Sequence, residues 1–168
     1  GNPSLAYLSR LLVGTLEQAR KSHVQLVIEQ CDEGQDIHKV FADLIESGVD
    51  GVVLSPPLCD SPKMLELIQN TDVTCVVVAN WCPPGKMSVV YIDDVEAAAT
   101  MTRHILSLGH KRIAFVKGNP EQKASHQRLK GFEMAMAEAG MPINPELVVD
   151  GLFTYRSGLD AADKLLDL

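Results

Sequence analysis

The sequence lacks a long apolar run, a basic charge excess and paired cysteines. No apolar run reaches the roughly 20 residues that a membrane-spanning helix needs, and the first residues show no basic segment followed by an apolar one. The net charge of -7 argues against a chain that grips nucleic acid by itself, because that task needs a basic face. We therefore expect a cytoplasmic globular domain with no membrane partner.

The cysteines and histidines show no metal-binding or disulfide pattern. The four cysteines form no C-x-x-C pair and each lies in or just after an apparent strand: Cys31, Cys59, Cys75 and Cys82. This is typical of reduced, mostly buried thiols in a cytosolic protein, and a zinc site or a disulfide framework is the alternative. The histidines share no metal-ligand spacing, so we expect neither a metal nor a cofactor.

Motifs of the common enzyme classes are also missing. The chain contains no G-x-G-x-x-G, no Walker-type loop and no G-x-S-x-G. Ser125 and His126 look like a nucleophile and its base, but adjacent residues at the start of a helix point apart. An α/β enzyme would need a nucleophile, a metal cluster or a phosphate loop, so we expect a protein that is not an enzyme.

Short apolar runs alternate with amphipathic helices along the chain. This alternation is typical of an α/β fold with parallel, doubly wound sheets. The predicted strands lie at 25–28, 51–54, 74–78, 89–92, 112–116 and 147–149. The rhythm breaks at 83–94, which predicts a crossover between two Rossmann-like lobes, an N-terminal lobe at 1–93 and the first part of a C-terminal lobe at 94–168.

Both ends of the sequence predict a truncated α/β fold. The chain opens with a helix that has no preceding strand, and it closes inside an apolar helix without a stop signal. We expect the missing first strand to leave a groove in the core.

Polar and aromatic residues follow the predicted strands and open the first helix. Because ligands bind beyond the carboxyl ends of parallel strands, we expect these side chains to meet around one cleft. Aromatic faces, amides and a guanidinium suit a small polar ring compound such as a sugar. The set comprises Tyr7, Ser55, Asn80, Trp81, Arg128 and Phe153.

Several members of this set have a structural alternative. Trp81, in a proline-rich turn, is as consistent with packing between lobes as with ligand stacking. For Arg128 the structural alternative is a salt bridge to Glu121 or Asp93. Asp93 and Asp94 resemble paired carboxylates, but a helix cap plus a structural hydrogen bond is the better interpretation, because a helix begins immediately after them.

Motifs spread over essentially the whole chain resemble the effector-binding domain of the LacI/GalR family of bacterial transcription regulators. They are GVDGVVL at 48–54, VYIDD at 90–94, LGHKRIAF at 108–115 and RLKGF at 128–132. The resemblance implies a periplasmic-binding-protein-like type I fold with an effector between the two lobes. It also implies a homodimer that binds operator DNA through an N-terminal helix-turn-helix domain, which these 168 residues do not include.

The resemblance further implies which residues contact the effector. Arg128 matches the family arginine that reaches the ligand, and Phe153 matches an aromatic that stacks on it. Asn80 falls where the family often places a sugar-binding aspartate. The remaining positions of the expected pocket are Tyr7, Leu8, Gln122 and Ala124.

Two readings of the function follow from the resemblance. One is the effector-sensing domain of a LacI-type regulator, whose small polar ligand, a sugar or sugar derivative, changes operator affinity. The other is a periplasmic sugar-binding protein of a transport system, which would have the same fold.

Overall fold

The computed structural model describes residues 5–31, 34–79 and 87–168, which form an α/β fold with two parallel sheets. The helices of the described residues are α1 (Leu5–Lys21), α2 (Ile37–Glu46), α3 (Pro62–Gln69), α4 (Asp94–Ser107), α5 (Lys123–Glu138) and α6 (Tyr155–Leu166). The strands are β1 (Gly51–Leu54), β2 (Thr74–Val78), β3 (Met87–Val90), β4 (Phe115–Val116) and β5 (Val148–Val149). The α/β class with parallel sheets is therefore confirmed.

The first sheet has the strand order β1-β2-β3, with both neighbouring pairs parallel. Val77 of β2 lies beside Leu54 of β1 and Val89 of β3. Helices α2 and α3 cover this sheet, because their apolar stripes supply Phe41, Met64 and Ile68 to a core that also contains Leu54, Cys59, Cys75, Val77 and Met87. The predicted burial of Cys59 and Cys75 is confirmed.

The second sheet is a parallel pair of β4 and β5 with Phe115 beside Val148. Phe132 of α5 is 1% exposed, and the centre of its ring lies 5.0 Å from that of Phe115 in β4. This stacked pair packs α5 against the sheet. Helix α4 packs directly against α5 at Gly131, where an added Cβ would lie only 2.1 Å from the carbonyl oxygen of Val95. Glycine at this position therefore sets how closely the two helices approach.

Along the sequence, the strands of the first sheet precede residue 93 and those of the second sheet follow it, and α4 begins at Asp94. Asp93 caps this helix, because its side chain accepts a 2.9 Å hydrogen bond from the backbone N–H of Glu96, as the capping interpretation expects. The division into lobes at 1–93 and 94–168 stays a prediction.

The predicted strand at 25–28 does not form. Val27 and Ile28 are 52% and 58% exposed, and no strand of the described residues lies beside this segment. A strand needs a neighbour to satisfy its backbone groups, and local apolar character cannot replace one.

Three other strands differ from their predicted bounds. The strand predicted at 89–92 occupies 87–90. The strands predicted at 112–116 and 147–149 are each reduced to two residues, 115–116 and 148–149, which pair with one another.

Among the described residues, no helix combines the length and the apolar character needed to cross a membrane.

The contact at Gly131 predicts a stability change. Gly131→Ala should destabilise the fold by about 1–3 kcal/mol, because the new methyl group must push α4 away from α5. Gly158→Ala in α6 is the matched control, because open space surrounds that position, and it should stabilise by about 0.5 kcal/mol. Urea unfolding followed by circular dichroism measures both, and a Gly131→Ala protein as stable as the control would contradict this packing.

Candidate functional site

Arg128 of α5 forms an ion pair with Asp94, the first residue of α4. The Arg128 Nε donates to Asp94 Oδ1 over 2.7 Å, and the Asp94 side chain is only 5% exposed. The predicted partners, Glu121 and Asp93, are wrong: Asp93 turns back to cap α4, whereas Asp94 faces α5. A buried carboxylate needs a charged partner, so this pair holds the guanidinium in one position.

Phe153, which follows β5, lies against the same arginine. The guanidinium carbon of Arg128 is 5.8 Å from the centre of the Phe153 ring, within the range of a cation–π contact. On its other side the ring occupies the space above Gly118, where an added Cβ would lie 2.0 Å from the ring. Phe153 has a backbone φ of +59°, which is uncommon for a bulky residue. Its conformation is therefore imposed by the surrounding contacts.

A cavity of about 290 Å³ adjoins these residues. Arg128, Ser125 and Thr102 are the polar side chains of its lining, Phe153 lies beside Arg128, and Gly118 contributes backbone. The remaining lining residues are apolar: Ala98, Met101, Ile105, Ile113, Ala114, Phe115, Val116 and Phe132. This volume is close to the lower limit of about 300 Å³ for small-molecule pockets.

The start of α5 carries a second group of polar side chains. Asp60, in the turn after β1, accepts a 3.3 Å hydrogen bond at Oδ2 from the backbone N–H of Lys123, which links the two halves of the chain. Three buried side-chain atoms lack a hydrogen-bond partner among the described residues: Asp60 Oδ1, Gln122 Nε2 and Ser125 Oγ. Buried polar groups are almost always paired, and leaving one unpaired costs about 1–3 kcal/mol. Unpaired polar atoms are therefore concentrated at the start of α5 and in the turn that it contacts, and Ser125 among them lines the cavity.

Tyr7 brings α1 to this site. Burial raises the pKa of Tyr7, the nearby Cys59 and Asp94 raise it further, and Arg128 lowers it. These influences show that the Tyr7 hydroxyl lies within electrostatic reach of the Arg128–Asp94 pair. Burial, together with Asp60, also raises the pKa of Cys59 to about 12, which keeps this thiol protonated and unreactive.

The structure brings Arg128 and Phe153 of the expected set together at the cavity and places Tyr7 within electrostatic reach of Arg128. Gln122 is buried at the start of α5 and, like Tyr7, does not line the cavity. Leu8, Ser55 and Ala124 are half-buried and do not line the cavity. Asn80 and Trp81 lie outside the described residues.

Sequence reasoning missed Asp60, Asp94 and Ser125 as parts of the site. For the Asp93–Asp94 pair the sequence predicted a helix cap plus a structural hydrogen bond, which the structure confirms, but it gave Asp94 no place in the site. Ser125 is buried, whereas His126 is exposed and its Nε2 lies 2.7 Å from the carbonyl oxygen of Pro120, so the two side chains point apart as expected. The described residues hold no cluster of three or more potential metal ligands.

A preorganised arginine, an aromatic ring and unpaired polar atoms beside a cavity define a ligand-binding domain of the α/β class. The model of the family described as periplasmic binding proteins and sugar binding domain of LacI family matches residues 3–168. The chain therefore belongs to this family.

The relatives of the chain include transcription regulators. It is 36% identical over 131 residues to the HTH-type transcriptional regulator DegA of Bacillus subtilis, which covers 77% of the chain and 39% of DegA. The fold matches the crystal structure of the transcription regulator CcpA of Lactococcus lactis, with a TM-score of 0.82, 24% identity and coverage of 99% of this chain and 62% of that one. The complex of the transcriptional regulator CelR with cellobiose matches with a TM-score of 0.76 and 29% identity, over 88% of this chain and 46% of that one. The chain thus spans half or less of the length of the curated relatives it matches.

The burial of Asp60 generates a prediction. Burial raises its pKa, so the folded chain binds this proton more tightly than the unfolded chain does, and stability falls as the pH rises through that range. Asp60→Asn removes the charge and keeps an acceptor for the Lys123 N–H. We therefore expect Asp60→Asn to have a higher Tm than the wild type at pH 7, with the difference shrinking as the pH falls below the ordinary aspartate range.

The control for this measurement is Asp36→Asn. Asp36 is exposed and caps α2 through the His38 N–H, a role that asparagine fills equally well. The Tm of the three proteins is measured by thermal unfolding between about pH 3 and pH 7, because this range includes the pH at which an aspartate titrates. Identical pH profiles for Asp60→Asn and the wild type would contradict the burial of this carboxylate.

Proposed function

We propose that the chain is the effector-binding part of a LacI-type transcription regulator, and that a small polar ligand, a sugar or sugar derivative, binds beside Arg128 to change operator affinity. The observation that carries this proposal is the position of Arg128, which Asp94 holds from one side and the Phe153 ring contacts from another. Membership of the LacI-type family and the cellobiose bound by the related CelR support it.

The guanidinium chemistry of Arg128 suits a ligand rich in hydroxyl groups. Its Nε is used by Asp94, and its two Nη groups make no hydrogen bond with the described residues. They therefore remain as a planar fork of donors for two neighbouring oxygens of a ligand. We assign the ligand-binding role to the expected set: Tyr7, Leu8, Ser55, Asn80, Trp81, Gln122, Ala124, Arg128 and Phe153.

The proposed mechanism couples the ligand to the arrangement of two lobes, 1–93 and 94–168. Tyr7 and Asp60 belong to the first lobe, Gln122 and Arg128 to the second, so a ligand that contacts both sides favours one arrangement of the lobes. The ligand can shift that equilibrium only by the difference between its affinities for the two arrangements. In a cytoplasmic homodimer this shift would pass to the helix-turn-helix domains that bind operator DNA.

The competing function is that of a periplasmic sugar-binding protein, since the family description covers both classes. Relatives such as DegA are HTH-type regulators, which favours regulation. Sequencing the gene upstream of the codon for Gly1 discriminates the two: the regulator requires a helix-turn-helix domain there, and a signal peptide would overturn the proposal.

Loss of the arginine is expected to weaken ligand binding. Arg128→Met alone would leave the Asp94 carboxylate buried and unpaired, so we combine it with Asp94→Asn, which removes that negative charge. Loss of charge-assisted hydrogen bonds should weaken affinity by about 10–100-fold. Isothermal titration calorimetry on the intact protein, with the sugar that gives the largest thermal shift in a panel of sugars and sugar phosphates, measures the change.

Arg156→Met is the matched control for this experiment. Arg156 lies on α6 with 83% of its side chain exposed, and its ion pair is with Asp160 one turn away. Its replacement should leave the affinity unchanged. Equal affinities of the double variant and the wild type would remove Arg128 from the site.

A further inference from the structure

The charges of the residues that we place in the site cancel. Arg128, which lines the cavity, forms one pair with Asp94, whose buried carboxylate lies 2.7 Å from the arginine Nε. The second carboxylate, Asp60, faces Lys123, whose charge lowers the pKa of Asp60 against the larger effect of burial. Among the described residues the site therefore offers two negative and two positive charges, and an incoming anion would find no net attraction.

The unpaired buried atoms have the hydrogen-bonding character of a neutral site. Gln122 Nε2 can only donate, Ser125 Oγ can donate and accept, and Asp60 Oδ1, when ionised, can only accept. A hydroxyl group both donates and accepts, so the hydrogen-bonding character of a ligand with several hydroxyls matches that of all three atoms. A fully ionised phosphate or carboxylate offers acceptors alone, and it would leave Asp60 Oδ1 unpaired and repelled.

Asp94 controls this balance through its position rather than through contact with the ligand. It is 5% exposed and lies behind Arg128, so it neutralises the guanidinium while the Nη fork stays available. An asparagine in the same place would still accept the hydrogen bond from Nε and would leave the guanidinium with its full positive charge.

We propose that Asp94 is a specificity-determining residue, which makes the site select uncharged, hydroxyl-rich ligands and reject anionic ligands of the same shape, such as phosphate esters. This inference rests on the proposed function, because it concerns the same Arg128 site. It identifies the charge of the ligand, which the fold and the family do not specify.

The test compares neutral sugars with their phosphate esters on the intact protein. The probes are cellobiose, glucose and ribose, glucose 6-phosphate and ribose 5-phosphate, and inorganic phosphate, each titrated by calorimetry into the wild type and into Asp94→Asn. For the wild type we expect at least one neutral sugar to bind at least about tenfold more tightly than any of the phosphates. For Asp94→Asn we expect phosphate and phosphate-ester affinities to rise by at least about tenfold, with a steeper dependence on salt concentration.

Asp93→Asn is the matched control. It makes the same chemical change one residue earlier, on an exposed side chain that caps α4, and asparagine is an equally good cap. The preference for neutral sugars should be unchanged in this variant, and thermal unfolding should show that both variants fold.

The outcomes separate this inference from the proposed function. A wild type that binds phosphate esters as tightly as neutral sugars overturns the inference and leaves the sensor function intact, and this comparison needs no variant. An Asp94→Asn protein whose preference equals that of Asp93→Asn also overturns it. If no probe, neutral or charged, binds the wild type, both the inference and the sugar-binding function fail.

Discussion

A carboxylate withdrawn from water requires a partner, and the pairing of Asp94 with Arg128 organises the site around this requirement. The bond joins the first residue of α4 to the second turn of α5. It can form because Gly131 lets the two helices pack in close contact. Once Arg128 is held, its guanidinium defines where Phe153 lies, and Gly118 provides the space for that ring.

Several features of the candidate site lower the stability of the fold. Phe153 adopts a backbone conformation that is uncommon for its size, and the buried atoms at the start of α5 lack partners among the described residues. Burial also raises the pKa of Asp60, so its ionised form costs stability at neutral pH. Costs of this kind persist where binding needs a preorganised group, because ordering it in advance reduces the entropy lost on association. Their concentration around one arginine supports the binding role that we propose.

Sequence patterns placed part of the candidate site and missed the rest for a physical reason. The positions beyond strand ends included Arg128 and Phe153, and the family resemblance added Gln122; the ligand-binding role of these residues stays a prediction. Asp60 was missed because its partner, the backbone N–H of Lys123, lies 63 residues away along the chain. For Arg128 the sequence offered Asp93 rather than Asp94, because it does not show which of two adjacent carboxylates faces α5. Local periodicity carries no information about such pairings.

Amino-acid order by itself determined the alternation of strands and helices, the presence of a cap in the Asp93–Asp94 pair, and the family. The first two depend on neighbours within a few turns, and the family depends on short motifs along the chain. Tertiary structure alone decided that 25–28 is not a strand, that β4 and β5 pair over only two residues, and that Asp94 rather than Asp93 holds Arg128. Adjacent aspartates are chemically equivalent in the sequence. They differ only in the direction in which the start of α4 points them, one back to its own backbone and the other across to α5.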